Sequence, residues 1–130
     1  MAPRDPVDKN LLRMEARRFA SRCEGHVATI ERADNLREVA RLVGTLHASY
    51  PLSEESAVRD ALRLVQMRAE DRARELIQQQ LQNYARVESY LRDKWRRTLL
   101  ESWGNLTGPL AHLRPWAQGR LTVVEQQLQD

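Results

Sequence analysis

Residues 54–103 read EESAVRDALRLVQMRAEDRARELIQQQLQNYARVESYLRDKWRRTLLESW, and this stretch contains neither glycine nor proline. Its apolar residues recur every three or four positions, as the buried face of an α-helix requires. This stripe, which also includes one glutamine, consists of Val58, Leu62, Val65, Ala69, Ala73, Leu76, Gln80, Tyr84, Val87, Leu91, Trp95, Leu99 and Trp103. The sequence therefore predicts a long central helix.

The length of this helix constrains the shape of the molecule. One continuous helix over 54–103 would be roughly 75 Å long, whereas a compact domain of this size is only about 35–40 Å across. Either the helix breaks within the polar residues 78–83, or the protein is elongated. We expect elongation, because glutamine is a good helix former and gives little reason for a break.

Further helical stripes flank the central segment. Together with the stripe of the central segment, the spacing of these stripes predicts helices over 7–33, 36–49, 54–103 and 115–129. Asn35 with Glu38 fits a capping box at the start of the second helix, and Ser53 is expected to cap the central one. The glycines and Pro109 in 104–109 predict a turn. A second short turn is expected after it, from Pro109 to Arg114.

These elements define the expected fold class. The chain is predicted to be all-α, a single helical domain over 1–130 in which three to four helices form an elongated antiparallel hairpin or bundle around the long central helix. Gln80 and Asn83 would be polar positions between helices that set their register.

Composition is typical of a globular protein, with 42% apolar and 30% charged residues. The net charge of +3 comes from basic and acidic residues that are evenly mixed along the chain, a pattern typical of solvated helix surfaces. Residues 1–10 lack the apolar run of a signal peptide, and Cys23 is the only cysteine. No run of about eighteen apolar residues occurs. We therefore expect a soluble, intracellular protein, located in the cytoplasm.

Candidate chemistry is sparse. Cys23 and His26 share one helical face, but two ligands are too few for a structural zinc site, which needs four. His47 and His112 lie in other segments, and neither a phosphate-binding glycine loop nor a nucleophile motif is present. We expect no catalytic site, no metal and no cofactor, and hence a non-enzymatic protein.

The last third of the chain holds the candidate binding residues. All three tryptophans lie there, with more leucines than one helical stripe needs. Core packing is the favoured account of the tryptophans, since aromatic side chains dominate core energetics. Tryptophan is also enriched at interface hot spots and an apolar surplus indicates a partner, so these positions are the candidates for binding a protein. The candidates are Trp95, Leu99, Trp103, Leu106, Leu110 and Trp116.

Two functions follow from these residues. The favoured one is a protein–protein interaction module, an adaptor, scaffold or subunit that forms homo-oligomers or joins a larger coiled-coil or helical assembly. The alternative is a peripheral binder of an anionic membrane or nucleic acid through the basic and aromatic cluster at 92–97, whose cations could contact phosphates. These cations are Arg92, Lys94, Arg96 and Arg97, with Arg114 nearby in sequence.

Overall fold

The computed structural model describes residues 6–49 and 56–129. This part of the chain contains five α-helices, two short 3₁₀ helices and no strand, which confirms the all-α prediction. The α-helices are α1 (Pro6–Arg32), α2 (Leu36–Ser49), α3 (Ser56–Ala85), α4 (Arg92–Trp103) and α5 (Leu113–Gln129). The predicted cap at Ser53 and residues 54–55 lie outside the described residues.

Helix α3 is the centre of the bundle, and each of the other four α-helices packs against it. Its 30 residues extend over about 45 Å. The end of α1 lies beside the middle of α3, where Arg72 Nε donates to the carbonyl oxygen of Ala33 at 2.9 Å. Arg68 and Glu31 form an exposed ion pair at the same junction, at 3.7 Å. The long central helix of the predicted bundle is thus present.

The start of α2 follows from its sequence. The backbone N–H of Glu38 donates to Oδ1 of Asn35 at 2.9 Å, so Asn35 caps the helix as expected. The reciprocal half of the capping box does not form, because the Glu38 carboxylate pairs with Arg41 instead. The predicted bounds of this helix, 36–49, agree with the structure.

The prediction of one helix over 54–103 is wrong. Helix α3 ends at Ala85, residues 86–88 are not helical, and α4 begins at Arg92 after the 3₁₀ turn Ser89–Leu91. The break lies beyond the polar residues 78–83, which are helical. At Glu88 the backbone is extended, with φ −63° and ψ 147°, and the chain folds back. The fold-back buries Leu99 and Trp103, and this tertiary gain outweighs the local preference for a continued helix.

The last helix also begins earlier than predicted. Helix α5 starts at Leu113, so Pro115 is its third residue. Proline is tolerated there because the first turn of a helix has no intrahelical acceptor for its N–H groups. The predicted turn from Pro109 to Arg114 is a 3₁₀ helix over Gly108–Leu110, which Gly108 enters with a φ of +54°. With these corrections the bundle has five α-helices, and three to four were predicted.

Candidate functional site

Helices α3 and α5 run parallel, and this arrangement creates the surface of interest. Three contacts follow the two helices in the same order. Gln66 Nε2 donates to the carbonyl oxygen of Pro109 at 2.7 Å, just before α5; the Arg74 guanidinium lies over the Trp116 ring at 6.0 Å; and Tyr84 Oη donates to Glu125 at 3.4 Å. The C-terminal turns of both helices therefore end side by side.

Helix α4 fixes the other side of this end of the bundle. It runs back along α3, where Trp103 Nε1 donates to Gln80 Oε1 at 3.0 Å and Gln80 Nε2 donates to Ser102 Oγ at 2.9 Å. Gln80 is therefore a polar position between helices, as the sequence predicts. Asn83 is not, because its side chain is exposed. These partly buried hydrogen bonds hold α4 in one register on α3.

An apolar groove of about 300 Å³ lies between the C-terminal turns of α3 and α5. Four apolar side chains line it: Leu81, Ala85, Val124 and Leu128. Its polar lining consists of Gln78, Gln82, Gln127 and Arg120. We call this surface the amide groove, because side-chain amides provide most of its polar groups.

The amide groove is poor in charge compared with the rest of the chain. No residue between Glu75 and Arg86 is charged, although 30% of the whole sequence is. Over 121–129 the only charged residue is Glu125, which turns away from the groove to accept a hydrogen bond from Arg96 Nε at 2.8 Å. Seven of the nine glutamines lie in 78–82 and 126–129. Depletion of charge is the compositional mark of an interface core.

A second, polar cleft of about 450 Å³ lies between α5 and the start of α4, next to the amide groove. Tyr84, Arg92, Arg96 and Glu125 line it, and Leu128 separates it from the amide groove. Burial and the adjacent Glu125 carboxylate raise the pKa of Tyr84 above the ordinary tyrosine value, so this hydroxyl remains a hydrogen-bond donor at neutral pH. The cleft contains two cations and two carboxylates, Asp93 being the second, and so carries no net charge.

Most of the predicted partner-binding residues are core residues. Leu99, Trp103, Leu106 and Leu110 are at most 4% exposed, because the fold-back of α4 and the turn after it bury them against the bundle. They therefore pack in the core of the folded chain and offer little surface to a partner. Trp116 is half-buried against the core beneath Arg74.

Trp95 is more exposed than its place on the apolar stripe predicts. The stripe places it in the core, but its side chain is 42% exposed. The register of the stripe is kept at Leu99 and Trp103, which are buried, whereas α3 ends before it can cover Trp95. Of the six predicted partner-binding residues, only Trp95 therefore presents a large exposed surface.

The predicted phosphate-binding cations do not form one cluster. Arg92 and Arg96 line the polar cleft, where Arg96 is paired with Glu125, whereas Lys94 and Arg97 are exposed on the solvent side of α4. Arg114 donates to the carbonyl oxygen of Gly104 at 3.2 Å and so helps to hold the turn before α5. These five cations therefore lie in three different places: the polar cleft, the solvent side of α4 and the turn before α5.

The candidate metal ligands lie in different parts of the bundle, Cys23 and His26 on α1, His47 on α2 and His112 just before α5. Within the described residues, no group of three or more histidine, cysteine or acidic side chains is placed to hold a metal ion. Cys23 is a buried core residue whose burial raises the pKa of its thiol. His112 Nε2 lies 2.8 Å from the Glu70 carboxylate, on the outside of the α3–α5 contact.

Sequence reasoning missed the amide groove itself. Its two sides are at least 35 residues apart in the chain, from Ala85 to Arg120, and the parallel packing of α5 on α3 brings them together. The clustering of glutamine in 78–82 and 126–129 was the available signal. By themselves, the polar residues 78–83 indicate a possible helix break, and Gln80 and Asn83 indicate polar positions between helices.

Comparison with protein families, curated proteins and solved structures finds no match. The fold therefore defines the class, which is an all-α bundle around a long central helix. Among the described helices, none combines the length and the hydropathy that crossing a bilayer would require.

Proposed function

We propose that the chain is a non-enzymatic protein–protein interaction module of the cytoplasm, and that the amide groove is its contact surface. The observation that carries this proposal is the local loss of charge around an apolar groove. Solvated helices elsewhere in the chain present arginine and glutamate to water, so a helix pair with so few charges is an exception that solubility does not require. An interface does require it, because burying a charge without a partner is costly.

The shape of the groove favours a helix as its occupant. Two parallel helices leave a straight furrow between them, and a third helix buries its apolar side chains there by packing ridges into grooves. Val123, which is 42% exposed on α5, extends the apolar surface beside Val124. The amides at the rim can donate and accept hydrogen bonds, and so adapt to polar groups on the edge of an incoming helix.

Site-specific photo-crosslinking in the cells that produce the protein tests this proposal. A photoreactive amino acid at Gln82, in the groove, should give a covalent adduct. The matched control is the same amino acid at Gln118, an exposed glutamine of α5. Gln118 lies nine residues, or two and a half turns, from Gln127 and is therefore on the opposite side of the helix. We expect no adduct from Gln118.

A second substitution checks that the groove causes the adduct. Val124→Arg places a charge on the groove floor and should abolish the adduct from Gln82, while circular dichroism shows the helix content unchanged. Equal adducts from Gln82 and Gln118, or an adduct that survives Val124→Arg, would exclude the groove as the contact surface.

One observation favours the second candidate function, binding of an anionic membrane or nucleic acid. Trp95 is exposed next to the exposed Lys94, and Tyr90 is 77% exposed one turn earlier, so aromatic and basic groups meet solvent together. Binding of anionic vesicles or of a duplex oligonucleotide that falls steeply with salt, and that the double substitution Lys94→Ala and Arg97→Ala removes, would support this function instead.

A further inference from the structure

We infer that the occupant of the amide groove is a second copy of this chain, packed groove to groove about a two-fold axis. This inference rests on the proposed function and names the partner. The argument uses the chemistry of the groove lining, its charge and its geometry.

The lining chemistry is self-complementary. In a two-fold contact, each residue near the axis meets the same residue of the other copy. Two lysines or two glutamates would repel each other there, whereas two glutamines can pair, since each amide both donates and accepts a hydrogen bond. Gln78, Gln82 and Gln127 are amides of this kind, and the floor between them is apolar. Apart from Arg120, the groove is therefore lined by residue types that can pack against the same residue of a second copy.

The charge balance points in the same direction. Each copy carries a net charge of +3, so two copies repel unless they meet where charge is absent. The amide groove comes near to this condition, because Arg120 is the one charged residue that lines it among the described residues. A partner protein of opposite charge would be recognised better by a charged surface than by this one.

Arg120 limits where the axis can lie. Because Tyr84 contacts Glu125, the α5 residue level with Gln82 is about Val123, three residues after Arg120. If the axis passes near Val123 and the α5 helices run antiparallel, the two Arg120 side chains start on opposite sides of it, about 9 Å apart along the helices. That distance is close to the screening length of about 10 Å at 0.1 M salt, so salt weakens the repulsion between the two cations. The contact would then consist of four helices, the ends of α3 and α5 from each copy, as in a four-helix bundle.

A charge-swap experiment tests this inference. Gln82→Lys and Gln82→Glu each place like charges across the two-fold axis, while an exposed helical position accepts either residue. Sedimentation equilibrium should show a wild-type dimer and a dimer constant at least about tenfold weaker for each variant alone. An equimolar mixture of the two variants should recover the dimer, because lysine then faces glutamate. Gln118→Lys and Gln118→Glu are the controls and should dimerise like the wild type.

Two results overturn the inference: a wild-type chain that stays monomeric up to millimolar concentration, or a mixture that does not recover the dimer. The photo-crosslinking experiment at Gln82 distinguishes a failure of this inference from a failure of the proposed function. An adduct of twice the 15.1 kDa chain mass supports both proposals. An adduct of any other mass overturns the second copy and leaves the interaction module, and the lack of an adduct overturns both.

Discussion

At the scale of single residues, Leu76 and Gln79 test the register of the central helix. Leu76 is 6% exposed in the core, whereas Gln79, three residues later, is exposed to solvent. Leu76→Asp creates a cavity and buries a carboxylate, so we expect it to lower the free energy of unfolding by about 3 kcal/mol or more. Gln79→Asp should cost under about 1 kcal/mol. Urea titration measures both, and equal losses would show that the assigned register is wrong.

Tyr84 makes the stability of the chain sensitive to alkaline pH. Burial and the Glu125 carboxylate raise the pKa of Tyr84 in the folded state. The folded chain then holds this proton more tightly than the unfolded chain, whose tyrosine titrates near pH 10. The stabilisation is therefore complete below about pH 10 and is lost as the pH rises through the folded pKa.

Tyr84→Phe removes this titration. Between about pH 8 and pH 11, the urea midpoint of the Phe variant should fall less than that of the wild type. Tyr90→Phe is the matched control, because it removes the same hydroxyl from a side chain that is 77% exposed. A Tyr84→Phe profile parallel to that of the wild type would mean that the phenol titrates alike in both states.

At the scale of the helices, two glycines with different backbones should respond in opposite ways to alanine. Gly108 starts the turn before α5 with a φ of +54°, a region that strains an L-residue by about 1–2 kcal/mol, so Gly108→Ala should destabilise the chain. Gly119 lies inside α5 with open space around the position of a Cβ. Gly119→Ala should stabilise by about 0.5–1 kcal/mol. Thermal melts check the two signs, and a stabilising Gly108→Ala would contradict the positive φ.

The same helices show what the sequence could predict. The bounds of α2 and the buried stripe of α3 as far as Tyr84 follow from local periodicity and capping, because these signals lie within a few residues of one another. The end of α3 at Ala85 could not be predicted in this way. It depends on burying Leu99 and Trp103 against residues far earlier in the chain. The spacing of apolar residues within one segment gives no information about the free energy of packing between distant segments. The exposure of Trp95 has the same cause.

At the scale of the whole molecule, the candidate site depends on how the helices are arranged. Each side of the amide groove is an unremarkable glutamine-rich turn by itself, and the groove exists because α5 lies parallel to α3 rather than on another face of the bundle. The partner-binding residues predicted from the sequence were chosen for their apolar character. Most of them stabilise the fold for the same reason, so apolar character alone does not separate core from interface.

The central claim, that the amide groove is the contact between two copies, is tested most directly by nuclear magnetic resonance of the ¹⁵N-labelled chain with a soluble gadolinium chelate. The chelate speeds relaxation of the side-chain amide protons that it can approach. In dilute protein, we expect Gln82 and Gln118 to relax to a similar extent, since both are exposed in the single chain. In concentrated protein, Gln82 should become shielded while Gln118 stays accessible. Equal relaxation of the two amides at every concentration would contradict the account.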